Sequence, residues 1–146
     1  MTNLDLGCGD IEVDGYIGVD KIDFEHNIVI DIEKEGLKRW EAKSIDKLRA
    51  FAFLEHIEQK NVIRIMNECW RVLKPRHHFE ILVPRADSPS YSIFSDPTHL
   101  SYCWMPSIFE DYFTGKNEEA KWYGIKPWKI DTIDKYKKTL HVILEK

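Results

Sequence analysis

Leu4-Asp5-Leu6-Gly7-Cys8-Gly9, with Tyr16-Ile17-Gly18-Val19-Asp20 shortly after it, decides how this chain is read. Leu4 to Leu6 is a short apolar run with one acid inside, and the two glycines end it. That pattern predicts a buried strand breaking into a tight loop, where the backbone comes close to a ligand. Residues 16–20 form a second short strand ending on a carboxylate. In nucleotide-binding α/β folds an acid at the tip of the second strand grips the ribose hydroxyls.

Only residues 10–15 separate these two strands. A helical crossover between parallel strands takes about a dozen residues or more, so an open loop is expected there. The missing helix helps to choose the ligand. A dinucleotide rests its pyrophosphate on that helix's N-terminus, and here the loop carries Asp10, Glu12 and Asp14 instead. Residues 1–36 hold ten Asp or Glu against two Lys, which repels phosphate and favours a cationic ligand. A dinucleotide oxidoreductase is therefore disfavoured.

A second short link, residues 21–26, leads to a third strand at 28–32. Residues 33–43 read as a short helix, 45–51 as a fourth strand and 51–56 as a loop. Residues 59–74 are the clearest helix. Val62, Met66, Cys69 and Leu73, with Ile63 and Trp70, make its apolar stripe, and Pro75 stops it. A strand at 79–83 ends at Pro84. Residues 85–104 are loop-rich, as lids and binding loops are. A short helix at 107–113 and two strands at 128–133 and 140–144 complete the chain.

Four pieces in this order resemble one family. They are L-D-L-G-C-G, I-D-K-L-R-A-F-A-F-L-E-H-I from Ile45, E-C-W-R-V-L-K-P-R-H-H-F-E-I-L-V from Glu68, and D-P-T-H at 96–99. The first three resemble the class I S-adenosylmethionine-dependent methyltransferases, and the fourth recurs in a small bacterial and phage branch of them. The implied fold is α/β: a Rossmann-like sheet, mostly parallel, with an antiparallel C-terminal hairpin and the first helices reduced to loops, in a single domain over residues 1–146. Two departures stand out. Ala52 replaces a common acid, and Arg76-His77 replaces the Gly-Gly pair that usually turns the chain.

The resemblance implies S-adenosylmethionine as cofactor. Gly7 and Gly9 would let the backbone approach its methionine part. Asp5 would orient that loop and reach the amino group, and Asp20 would accept from the ribose. Ile22 would pack on the adenine. Asp31 either reaches the adenine amino group or is a solvated strand-end acid. Cys8, Lys21, Ile32 and Phe53 flank these positions and complete the expected cofactor-binding set. His56, near the methyl, and His99, on the lid side, are the candidate catalytic bases; otherwise His56 caps the next helix and His99 pins its loop to Asp96. Tyr91, Tyr102 and Trp104 line an acceptor pocket or belong to the core. His77-His78 is too close-set for a metal site, and no metal is expected.

Composition bounds the rest. At 146 residues and 43% hydrophobic, the chain can bury one core. No apolar run reaches the ~18 residues of a membrane span, and the start has no signal-peptide pattern. Three unpaired-looking cysteines suit a reducing cytoplasm. With net charge −4 and no uniformly basic face, a small-molecule or saccharide acceptor is favoured over nucleic acid. With two helices missing, one side of the sheet is short of cover, so a partner subunit (a homo-oligomer) or the C-terminal segment is expected over it. The competing reading is a non-catalytic binding or interaction module on the same fold.

Overall fold

The computed structural model describes residues 1–89 and 96–146. Tyr91, named above for the acceptor pocket, lies outside them. Seven strands form one sheet in the order β3-β2-β1-β4-β5-β7-β6. They are β1 Asn3–Leu6, β2 Ile17–Asp20, β3 Ile28–Val29, β4 Ile45–Phe51, β5 Leu73–Pro84, β6 Lys129–Lys135 and β7 Thr139–Glu145. The first five run parallel, and β7 pairs antiparallel with both β5 and β6. The order reverses between β1 and β4, which is where open α/β sheets bind ligands, beyond the carboxyl ends of their strands.

The register sorts side chains by face. Leu4, Leu6, Leu48, Ala50, Phe79, Ile81, Val142 and Leu144 point to one side, each less than 2% exposed. They join Ile65, Met66, Cys69 and Val72 of helix α2 (Val62–Val72) in one core. Trp104, Phe109 and Phe113 join the same core, the last two from a wide π-type turn, α3 (Ile108–Phe113). The other side mixes charged groups with the half-buried Phe51, Leu82 and Ile143. Asp5 pairs with Arg49, and Glu80 accepts from His141 at 2.8 Å.

Several expectations change here. The loop at 10–15 is confirmed as non-helical. The third strand stops after Val29, because Asp31 leaves the ladder to cap α1 (Ile32–Glu35) by accepting the Lys34 amide at 3.2 Å. That helix is one turn long and does not run to 43. Gly36 ends it at φ 68°, and the chain beyond is held by side chains of α2. Glu68 accepts the Leu37 amide, while Arg71 donates to the Leu37 and Trp40 carbonyls. The long helix starts at 62 and ends at 72. Residue 74 precedes a proline and is steered out of the helical region, and Leu73 instead pairs with Ile45. Arg76 takes φ 64°, the left-handed turn that a Gly-Gly pair would make without steric cost, and its amide donates to the Lys146 carbonyl at 2.9 Å.

The C-terminal segment does not lie over the β1–β3 side of the sheet. It builds β6 and β7 at the opposite edge.

Candidate functional site

A cavity of about 610 Å³ opens at the carboxyl ends of β1, β2 and β4. Gly7, Gly9, Asp20, Lys21, Ile22, Asp31, Ile32, Phe53 and His56, all named from the sequence as site candidates, line it. Its size is that of a small-molecule site.

The two glycines act differently. Gly7 lies at φ 67°, and a Cβ there would fall 2.2 Å from Phe53 Cδ2, so Phe53 seals the floor against bare backbone. Gly9 lies at φ 57°, with nothing within 4 Å of where a Cβ would be. The space beside it is open, as a cradle for a ligand requires. Asp20 ties the loops together. Its Oδ2 accepts the Gly9 amide at 3.1 Å and its Oδ1 accepts the Ile22 amide at 3.0 Å. Each oxygen keeps a lone pair for hydroxyl donors. Asp20, Asp31 and Glu33 outnumber Lys21 around the rim, which favours a cation.

Three expected cofactor or catalytic residues are placed elsewhere. Asp5 points to the side of the sheet opposite α2, where Arg49 holds it, and does not line the cavity. Burial raises its pKa, and the guanidinium only partly opposes this. The alternation of side chains along a strand is the reason: Leu4 and Leu6 take the core, so Asp5 must face the other way. Cys8 is 5% exposed and turns under the loop onto β2; a Cβ on Gly18 would be 2.8 Å from its Sγ. His99 is 5% exposed and lies behind the cavity wall.

The segment 98–104 docks on the turn Leu54–His56. The Glu55 carbonyl accepts the Leu100 and Ser101 amides, and Ser101 Oγ donates to the Leu54 carbonyl. This brings Thr98 and Leu100 to the cavity and sets the His56 and His99 rings 5.2 Å apart, edge to face. His56 Nδ1 lies 3.0 Å from the Thr98 carbonyl oxygen, and His99 Nε2 lies 3.5 Å from Asp96. His56 therefore braces the 98–104 segment and does not cap a helix. Asp96 is held below the ordinary carboxylate range, chiefly by the Thr98 hydroxyl. Of the aromatic candidates, Trp104 is fully buried against Phe109 and is core. Tyr102 is 39% exposed and donates to the His99 carbonyl.

Sequence reasoning missed Phe24, Ala52, Leu100 and Glu55. Phe24, Ala52 and Leu100 line the cavity. Ala52 does so at φ 51°, a strained left-handed conformation beside the cavity. Glu55 is 2% exposed, and burial raises its carboxyl to about 7, partly offset by its own backbone amide and by His56. A positive-φ alanine carries no sequence signal, and a Glu beside a His reads as surface.

The strand order, the glycine loop and the carboxylate at the tip of β2 define a class I methyltransferase fold. Solved structures agree. The chain is similar to an S-adenosylmethionine-dependent methyltransferase from Methanosarcina mazei at 16% identity and a TM-score of 0.70, covering 99% of this chain and 92% of that one. A S-adenosylmethionine-dependent methyltransferase from Archaeoglobus fulgidus aligns at 19% identity and 0.67, covering 99% and 86%. The 1,6-didemethyltoxoflavin-N1-methyltransferase of Burkholderia thailandensis, solved with 1,6-didemethyltoxoflavin and S-adenosylhomocysteine bound, aligns at 12% and 0.66, covering 99% and 70%. At these identities the likeness establishes the fold. No protein-family model and no curated protein matches the chain.

Proposed function

We propose that this chain binds S-adenosylmethionine in the cavity at the ends of β1, β2 and β4 and transfers its methyl group to a small-molecule acceptor. One observation carries the reading. The Asp20 carboxylate bridges the Gly9 and Ile22 amides beside open space next to Gly9, so a ribose acceptor and a backbone cradle share one wall.

When bound, the cofactor supplies a methyl group on a positive sulfonium. The protein's part is to hold donor and acceptor in line and to keep water out. Asp20 would take the ribose hydroxyls, and Ile22 with Phe24 would flank the adenine. Gly7 and Gly9 would admit the methionine end. His56, on the cavity wall with His99 behind it, would face the acceptor and receive a proton where the acceptor carries one. The acidic rim and the net charge of −4 support a small acceptor over nucleic acid.

Isothermal titration calorimetry with S-adenosylmethionine and S-adenosylhomocysteine tests the reading. Binding of both, with Kd on the order of micromolar, is expected. No binding of either would leave a non-catalytic module on a methyltransferase fold.

A further inference from the structure

Glu55 Oε2 is buried and has no hydrogen-bond partner among the described residues. A buried carboxylate oxygen without a partner is costly and calls for a ligand. Two imidazoles stand next to it. One donor atom from each of Glu55, His56 and His99 lies within 4.8 Å of the other two. His56 Nδ1 faces the Thr98 carbonyl oxygen at 3.0 Å. A proton on Nδ1 leaves Nε2 with its lone pair, which is how metal-binding histidines are oriented. Asp96 Oδ2, 3.5 Å from His99 Nε2, supplies a carboxylate behind the second imidazole.

We propose that Glu55, His56 and His99 bind a divalent transition-metal ion at the edge of the cavity. Two imidazoles and one carboxylate suit Zn²⁺ and its neighbours, whereas Mg²⁺ and Ca²⁺ prefer all-oxygen shells. Bonds of about 2.0–2.2 Å hold tetrahedral donors roughly 3.4 Å apart, so the three side chains close by a rotation. His56, only half-buried, has the room to make it. Three protein ligands leave a fourth position open, and His56, which lines the cavity, sets the ion beside it. On the methyl-transfer reading, it is where an acceptor oxygen or nitrogen would be held. The ion site itself does not depend on that reading. The expectation of no metal rests on the close-set His77-His78; Glu55 and His99, 44 residues apart, show no ligand spacing in the sequence.

Titration of the chelator-stripped full chain with Co²⁺, followed by its visible absorption, tests the site. Saturable binding of one ion per chain is expected, with the strong bands of a four-coordinate centre and competition by Zn²⁺. Glu55→Gln and His56→Asn should each weaken it at least about tenfold. His78→Asn should not, which excludes the second His-carboxylate group at His78, Asp131 and Glu145. The proposal is overturned by an absence of saturable binding, by unchanged binding in both Glu55→Gln and His56→Asn, or by a loss in His78→Asn alone. Should Glu55→Gln fail to fold, His56→Asn at its half-buried position decides. Co²⁺ binding without any S-adenosylhomocysteine binding would sink the methyl-transfer reading and leave the metal site standing.

Discussion

The two glycines and one aspartate at the strand ends separate folding from binding. Gly7→Ala places a methyl group against Phe53 at a left-handed φ. It is expected to cost about 2–4 kcal/mol of stability, from the backbone penalty plus overpacking. Gly9→Ala meets no atom; it should cost only the ~1–2 kcal/mol of the backbone and yet weaken cofactor binding strongly. Thermal melts beside calorimetry separate the two, and a Gly9→Ala protein that binds normally would remove that loop from the site. Asp20→Ala loses charged hydrogen bonds and should weaken S-adenosylhomocysteine roughly 5- to 150-fold, about 1–3 kcal/mol. His56→Ala should lower turnover while leaving that affinity nearly intact; an equal loss of both would make it a purely structural residue.

Elements are held by contacts that propensity does not show. Arg71 links α2 to the Leu37 and Trp40 carbonyls and to Glu68, and so replaces the hydrogen bonds of a helix that Gly36 ends early. Arg71→Ala should destabilise the fold by about 2 kcal/mol in urea melts. Arg71 holds Glu68 below its ordinary value of 4.5. That contribution is present above pH 4.5 and fades as pH falls through the lower folded value, so the variant should lose less stability on acidification than the parent does. At Arg76 the left-handed conformation costs about 1–2 kcal/mol for a side chain. Arg76→Gly removes it against ~0.4–1 kcal/mol of added unfolded-state freedom, so a small rise in melting temperature is expected.

Across the whole molecule, the side of the sheet opposite α2 sets ion pairs among Phe51, Leu82 and Ile143. Asp5 is 4% exposed at its side chain and pairs with Arg49; Glu80 and His141 continue the row. A partner over this side would cover Phe51, Leu82 and Ile143 together with the Asp5–Arg49 and Glu80–His141 pairs. Sedimentation tests the expected homo-oligomer: a tight dimer shows that this mixed face, with the exposed Val29 and Ile11, needs cover, and a monomer shows that it does not. Arg49→Ala leaves Asp5 buried and unpaired and should cost roughly 3–5 kcal/mol near neutral pH. The loss should shrink as pH falls and Asp5 takes up a proton, because a carboxyl raised by burial is destabilising only where the unfolded chain ionises it. Among the described residues, no helix is long and apolar enough to cross a membrane.

From sequence alone, most of the strands, the mostly parallel sheet with its antiparallel C-terminal pair, the open first loop and many residues of the cavity wall were legible. They rest on local signals: apolar runs, glycines at turns and an acid at a strand tip. Only the tertiary structure decided the rest. Strand alternation sent Asp5 to the far side of the sheet, side chains of α2 replaced half of a helix, and docking of 98–104 carried His99 to Glu55. Each depends on groups far apart in the chain, whose meeting is set by packing and buried hydrogen bonds, and no local pattern encodes that.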